Sequence, residues 1–283
     1  MKLMDGKHVS ALKKEVLKEK IATFVETYQE RPHLCVIIIG ENPASQTYVR
    51  SKVKMCEVLG MNSTTLTFAS DDIDEAGLIQ TIEQLNQDPS IHGILVQLPL
   101  PKHIQEEKIL NAIDPAKDVD GFHPLNSGLL FQGKPVLSPC TPSGIMTLLH
   151  HYNIPLEGKL AVVIGRSDIV GKPIAQLLLQ ANATVIMCHS RTKNLTTLTQ
   201  QADLVIVAIG QPHFLKADMI KEGAVVIDVG INRLENGKLV GDVDFDSVKE
   251  KADYLTPVPG GVGPMTIIEL MENTLICATQ QKK

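Results

Sequence analysis

The sequence predicts an α/β protein of two domains with a cleft between them, each a mostly parallel sheet flanked by helices, the second doubly wound. Three observations in the 283 residues carry this expectation. Apolar segments of strand length alternate with helical periodicities, the pattern of parallel sheets covered by helices. The alternation is interrupted over residues 114–142 by closely spaced Pro and Gly with little periodicity, which marks a junction between domains. Beyond it the alternation resumes, with a glycine-bracketed loop between a buried strand and a helix.

Taken in order, Val9, Leu12, Val16, Ile21, Phe24, Val25 and Tyr28 recur at mostly helical steps and predict an amphipathic helix over 9–28. Residues 34–39 form an apolar run rich in β-branched side chains and closed by Gly40, which reads as a strand buried on both faces. Ser45 is placed to cap a helix running to about Leu59, and 64–68 alternates as a short strand. Leu78, Ile79, Ile82 and Leu85 mark a helix, and 91–98 is a further buried strand stopped by Pro99 and Pro101. After the junction come strand 160–164, helix 170–180, strand 184–188, a short helix near 195–201, strands 204–209 and 225–229, and a last helix over 266–277. That helix, with Ile267, Ile268, Leu270, Met271 and Leu275, is expected to return to the first domain.

Composition excludes several partners. With 27 Lys and Arg against 32 Asp and Glu, the net charge of −5 offers no bulk positive surface for nucleic acid, so a bound anion must be held locally. The five cysteines, Cys35, Cys56, Cys140, Cys188 and Cys277, form no C-x-x-C pair; Cys35 and Cys188 lie in apolar runs and read as small buried thiols rather than ligands. The N-terminal residues lack the apolar core of a signal peptide, and no apolar run approaches the ~18 residues of a membrane span. The expectation is a soluble cytoplasmic protein.

The loop Gly165-Arg166-Ser167-Asp168-Ile169-Val170-Gly171-Lys172-Pro173 lies between strand and helix, where free N–H groups receive a phosphate. It is neither G-x-G-x-x-G nor a Walker A loop, since five residues separate its glycines and Pro173 stands where a Ser or Thr would ligate magnesium. Taken alone, the loop reads equally as a tight turn that needs Gly. The next strand tips the balance toward a Rossmann-like unit, because it ends His189-Ser190-Arg191-Thr192-Lys193. An NAD-preferring domain carries an acidic residue there for the ribose 2′-hydroxyl. A hydroxyl among cationic groups, with Arg166 adding charge from the first loop, suits the 2′-phosphate of NADP instead, although a solvated basic turn has the same composition.

In the first domain Tyr48 and Lys52 are four residues apart on one helix face. A lysine beside an aromatic ring on a core-facing side is poorly solvated, which lowers its pKa toward proton transfer. Spacing alone favours a snorkelling surface lysine. Gln97 follows a buried strand, at the end where open α/β sheets place ligand groups, and is read either as an orienting amide or as an edge polar residue. Asp118 and Asp120 put paired carboxylates in the junction. One carboxylate binds an amidine-like N–H pair, as on a pterin or guanine ring, while Asp-x-Asp also suggests a metal site for which no third ligand of suitable spacing follows.

The segments Tyr48-Val49-Arg50-Ser51-Lys52, Val96-Gln97-Leu98-Pro99-Leu100-Pro101, Asp118-Val119-Asp120-Gly121-Phe122-His123, the Gly165–Pro173 loop and Pro259-Gly260-Gly261-Val262-Gly263-Pro264-Met265-Thr266 resemble, in this order and over nearly the whole chain, the bifunctional methylenetetrahydrofolate dehydrogenase/cyclohydrolase family. The resemblance implies hydride transfer from 5,10-methylenetetrahydrofolate to NADP, then hydrolysis of the methenyl bridge to 10-formyltetrahydrofolate, in one-carbon metabolism. It implies that Lys52 transfers the proton of the hydrolytic step, which reverses the surface-lysine reading. Gln97 would hold Lys52 and orient the folate, Tyr48 stack on its ring system and Asp120 bind the pterin edge. Pro259, Gly260, Gly261, Val262 and Gly263 would line the substrate side, and Gly165, Arg166, Ser167, Ser190, Arg191 and Ile231 would carry NADP. No metal is implied, and a homodimer through the nucleotide domain is. The implied division is 1–139 plus 268–283 for substrate and 140–267 for the nucleotide. The competing readings are a dehydrogenase without the hydrolytic step, a nucleotide sensor that keeps the fold without turnover, and an ATPase of the P-loop kind.

Overall fold

The computed structural model describes residues 1–283, the side chain of Ala44 aside. In chain order its elements are β1 (Lys2–Leu3), α1 (Gly6–Tyr28), β2 (His33–Ile39), α2 (Pro43–Leu59), β3 (Asn62–Phe68), α3 (Glu75–Gln87), β4 (Gly93–Val96), α4 (Glu106–Ala112), α5 (Pro124–Phe131), α6 (Cys140–His151), β5 (Leu160–Ile164), α7 (Gly171–Gln180), β6 (Thr184–Cys188), α8 (Leu195–Thr199), β7 (Leu204–Val207), β8 (Val225–Asp228), β9 (Asn232–Arg233), β10 (Leu239–Val240), α9 (Phe245–Val248), β11 (Tyr254–Leu255) and α10 (Val262–Gln280). They fall into two compact units, one of Leu12–Cys140 with Ile267–Lys283, the other of Met1–Ala11 with Thr141–Thr266. The sequence expectation keeps 1–139 together. The structure groups the first eleven residues with the second unit instead, because β1 pairs in parallel with β11.

The first unit is built on a three-stranded parallel sheet in the order β3-β2-β4. Central β2 pairs on both edges and is buried on both faces, and the burial of both faces is why its sequence is apolar throughout rather than alternating. On one face Cys35, Ile37 and Ile39 join Ile94 and Val96 against Leu78 and Ile82 of α3 and Ile109 of α4. Helix α3 starts where the Asp74 carboxylate accepts the Gly77 N–H at 2.8 Å. Helices α2 and α10 meet elsewhere in this unit, the Cys56 thiol lying 3.4 Å from Met271 sulfur.

Several expectations change here. On α1 the buried stripe is Val9, Leu17, Ile21 and Phe24, whereas Leu12 and Val16 are 49% and 54% exposed. Helix α2 begins before Ser45, and the cap is Asn42, whose Oδ1 accepts the Ser45 N–H at 3.2 Å. The strand expected over 91–98 is confined to Gly93–Val96. Residues 114–142 hold helix α5, whose eight residues are too few to display a period, and the start of α6.

The second unit carries a parallel sheet of six strands, β1-β11-β8-β7-β5-β6. The chain runs outward from β5 to β6, then returns to the other side of β5 for β7 and β8. The strand order therefore reverses between β5 and β7, and ligands of open α/β sheets bind outside the carboxyl ends at such a point. Val162, Ile164, Val205, Val207 and Val226 form the buried centre of one face.

Candidate active site

In the first unit the end of the sheet assembles a compact polar constellation. Helix α2 carries Tyr48 and Lys52 one turn apart; the ring is 37% exposed, while Lys52 is 9% exposed. Gln97 follows β4 directly, its N–H still donating to Ile37 O at 2.8 Å, so its side chain is held at the sheet end. Its Nε2 donates to Leu98 O at 2.8 Å, which turns Oε1 toward Lys52, and the lysine Nζ donates to that oxygen at 3.0 Å.

The two carboxylates of the junction have different tasks. Asp118 is buried and accepts from Gly121 N, His123 N and Asn126 Nδ2, at 3.1, 2.8 and 2.9 Å, so its oxygens are occupied in shaping the loop. Asp120, half-buried, has no hydrogen-bond donor among the described residues. Burial pushes its carboxyl up to about 6, the Lys52 charge pulling it down and the Asp118 charge pushing it further up. Asp118 is thus a structural residue and Asp120 the free acceptor; among the described residues no cluster of His, Cys, Asp and Glu is arranged to hold a metal.

Sequence reasoning missed what supports this loop. Asn273 of α10 donates from Nδ2 to Val119 O and Ser138 O, both at 2.9 Å, and the Cys140 thiol donates to the same Val119 O at 3.3 Å. The available signal is an Asn within the largely apolar helix α10, which when buried demands a partner.

In the second unit Gly165 follows β5 with φ of +130°, and a Cβ there would lie 2.3 Å from Ala208 O. Only glycine fits. The loop then turns into α7, where Ser167 Oγ accepts the N–H groups of Val170 and Gly171 at 3.2 Å each. Arg166, Ser167 and Asp168 are exposed at this helix start, and Asp168 pairs with Lys172. After β6 the chain makes a turn in which His189 N donates to Thr192 Oγ1 at 2.9 Å, leaving Ser190 and Arg191 exposed with no carboxylate beside them in the sequence. Ile231 follows β8 and is 44% exposed. A glycine cradle, exposed donors at a helix start and a basic turn after the second strand fit a dinucleotide carrying a 2′-phosphate.

The segment Pro259 to Gly263 belongs to this unit up to the start of α10, with Pro259 exposed, Gly260, Gly261 and Val262 buried, and Gly263 between. It is fixed from an unexpected direction. A Cβ at Gly6 would lie 1.7 Å from Gly261 O, and Lys7 N donates to Gly260 O at 3.1 Å, so the start of α1 packs directly on this turn.

Fold and site define a nucleotide-dependent α/β enzyme whose first unit presents a lysine, an amide and a free carboxylate side by side. Comparison with known proteins narrows the class. The family model "Tetrahydrofolate dehydrogenase/cyclohydrolase, catalytic domain" matches residues 4–120, and "Tetrahydrofolate dehydrogenase/cyclohydrolase, NAD(P)-binding domain" matches residues 139–282. The Bifunctional protein FolD of Streptococcus thermophilus is 58% identical over 281 residues, covering 99% of both chains. A crystal structure of the bifunctional enzyme FolD from Campylobacter jejuni superposes with a TM-score of 0.96 at 55% identity, covering 99% of each chain. The Trypanosoma brucei dehydrogenase-cyclohydrolase, solved with NADP cofactor and an inhibitor, gives a TM-score of 0.96 at 38% identity over 100% of this chain and 99% of that one. The chain belongs to the tetrahydrofolate dehydrogenase/cyclohydrolase family.

Proposed function

We propose that the chain works as a bifunctional enzyme of one-carbon metabolism: it oxidises 5,10-methylenetetrahydrofolate to 5,10-methenyltetrahydrofolate with NADP, then hydrolyses the methenyl bridge to 10-formyltetrahydrofolate. The observation that carries the reading is the Lys52 Nζ to Gln97 Oε1 hydrogen bond of 3.0 Å beside Asp120, a carboxyl group with no donor of its own. NADP held by the second unit would supply the hydride acceptor for oxidation of the methylene carbon to the cationic bridge, and what the chain itself contributes to that transfer is mainly geometry. Tyr48 offers its exposed ring for stacking, and Asp120 accepts two N–H bonds from the pterin edge. Gln97, turned by Leu98 O, holds the amine in place. In the second step water adds to the cationic carbon and Lys52 takes its proton; the bond from that carbon to N5 then breaks, N5 is protonated, and the formyl group stays on N10.

Gly165, Arg166, Ser167, Ser190, Arg191 and Ile231 are assigned to NADP, and Pro259, Gly260, Gly261, Val262 and Gly263 to the substrate side. The same reading takes the chain as a homodimer through the nucleotide unit; edge strand β6, with Val185, Ile186 and Met187 only half-buried, supports it. A cytoplasmic setting agrees with five free, buried thiols. Among the described residues no helix is long and apolar enough to cross a membrane.

Two measurements test these assignments. Initial rates read at the NADPH absorbance band, with NADP or NAD as oxidant, are expected to favour NADP, and Ser190→Ala combined with Arg191→Ala to lower kcat/KM for NADP by about tenfold or more while leaving NAD nearly unchanged. An unaltered NADP preference refutes the 2′-phosphate site. The second concerns Asp120. Its folded-state carboxyl titrates at about 6, above the usual value of 3.8, so the folded protein binds this proton more tightly than the unfolded chain. Its contribution to stability is therefore present below 3.8 and declines as pH rises through about 6. Pterin binding has the opposite slope, since only the ionised carboxylate accepts both N–H groups. KM for the folate is expected to rise as pH falls below about 6, and Asp120→Asn to abolish that dependence while raising KM throughout.

A further inference from the structure

Two buried carboxylates of the nucleotide unit take no part in the chemistry above. Asp228 ends β8, and Asp242 lies just after β10. Asp242 accepts Ile209 N at 2.7 Å and Gly210 N at 2.9 Å through Oδ2, and Asn232 Nδ2 at 2.9 Å through Oδ1. Asp228 accepts Gly230 N at 3.0 Å and Asp242 N at 2.9 Å through Oδ1, and Val243 N at 3.0 Å through Oδ2. The carboxylates also interlock with glycines: a Cβ at Gly230 would lie 2.2 Å from Asp242 Oδ1, and one at Gly241 would lie 1.7 Å from Asp228 Oδ2. Asp242 fills the space that Gly230 leaves open, and Asp228 the space that Gly241 leaves open.

Burying a carboxylate is costly unless its oxygens are fully hydrogen-bonded, as here. What these bonds hold is specific. The loops after β7 and β8 have left the sheet, so their N–H groups lack strand partners; Asp242 and Asp228 supply the acceptors and fix Ile209-Gly210 and Gly230-Ile231-Asn232 as one backbone surface. The topology says what meets it. A dinucleotide crosses the carboxyl ends of the strands at the switch point between β5 and β7. Were the pyrophosphate held on the Gly165 loop and the adenosine 2′-phosphate on the β6 side, the nicotinamide end would extend over β7 and β8. We propose that Asp228 and Asp242 are positioning residues for the oxidative step, setting the two loops against which the nicotinamide half of NADP lies. This rests on the assignment of the second unit to NADP.

Titration calorimetry separates the halves of the ligand. NADP and adenosine 2′,5′-bisphosphate, which lacks the nicotinamide, are titrated into the wild type, Asp242→Asn and Gly230→Ala, and methenyl hydrolysis is assayed without NADP. Both variants are expected to raise Kd for NADP by about fivefold or more, with Kd for the bisphosphate and the rate of hydrolysis within about twofold of wild type. Equal weakening of both ligands, unchanged NADP binding, or failure of both variants to fold overturns the inference while leaving the cofactor assignment standing. A wild type that binds neither ligand overturns both.

Discussion

Replacing Lys52 by methionine is expected to lower the rate of methenyl hydrolysis by about 10²- to 10⁴-fold, the range typical for loss of a positioned proton-transfer group. The oxidation of methylenetetrahydrofolate is expected to persist within about tenfold, because hydride transfer is governed by the approach of two carbons rather than by a proton acceptor. Methionine keeps the length of an unbranched chain, so α2 retains its packing, and the half-buried Gln97 amide, still turned by Leu98 O, loses only its lysine donor. A drop of this size corresponds to about 3–5 kcal/mol of barrier, more than a charge-screened surface lysine contributes. Parallel assays on one preparation read both activities. Undiminished hydrolysis would return Lys52 to the role of a packed side chain that snorkels to its amide; equal loss of both activities would make it a substrate-binding group only.

The second large effect belongs to Gly165. Alanine at this position meets two independent obstacles: a φ of +130°, which L residues rarely adopt, and a Cβ 2.3 Å from the backbone oxygen of Ala208. Conformational strain alone costs about 1–3 kcal/mol, and a clash with backbone cannot be relieved by a rotamer change. The loop must move away from β7, and the N–H groups at the start of α7 move with it. Gly165→Ala is expected to weaken NADP binding by more than about tenfold and to lower the unfolding midpoint of the nucleotide unit, while hydrolysis, whose proposed residues lie in the other unit, is retained. NADP affinity measured by titration, beside denaturant unfolding, reads both consequences; wild-type affinity would remove Gly165 from the phosphate loop.

Much of this molecule is legible in its sequence. Central strands such as β2 and β5 are buried on both faces, so their apolar runs are visible without tertiary information. The glycine at 165 and the absence of a carboxylate after β6 are likewise written locally. Helix α1 shows where this reading fails. Its apolar residues populate more than one face, and only the structure selects Leu17 for the core and leaves Val16 outside. Short elements fail for another reason, since eight residues of α5 and two of β1 contain no measurable period.

The site divides in the same way. Residue type and spacing drew attention to Tyr48, Lys52, Gln97 and the pair Asp118 and Asp120 without deciding their roles, and the order of motifs along the chain supplied the family resemblance that singled out Lys52 and Asp120. Composition and spacing did not distinguish Asp118 from Asp120, which only the resemblance singled out, because the difference lies in which carboxylate the surrounding N–H groups occupy, and those donors come from residues three to eight positions away in a folded loop. The supports from Asn273, Gly6, Asp228 and Asp242 were equally hidden. What the chain determined by itself is the set of chemical groups and the parallel order of strands that carries them, since hydrophobic period and glycine geometry are local properties. What only the tertiary structure decided is which groups remain free to act, because a hydrogen-bond donor is assigned to one acceptor or another by distance in space, and distance in space is set by packing between segments remote in sequence.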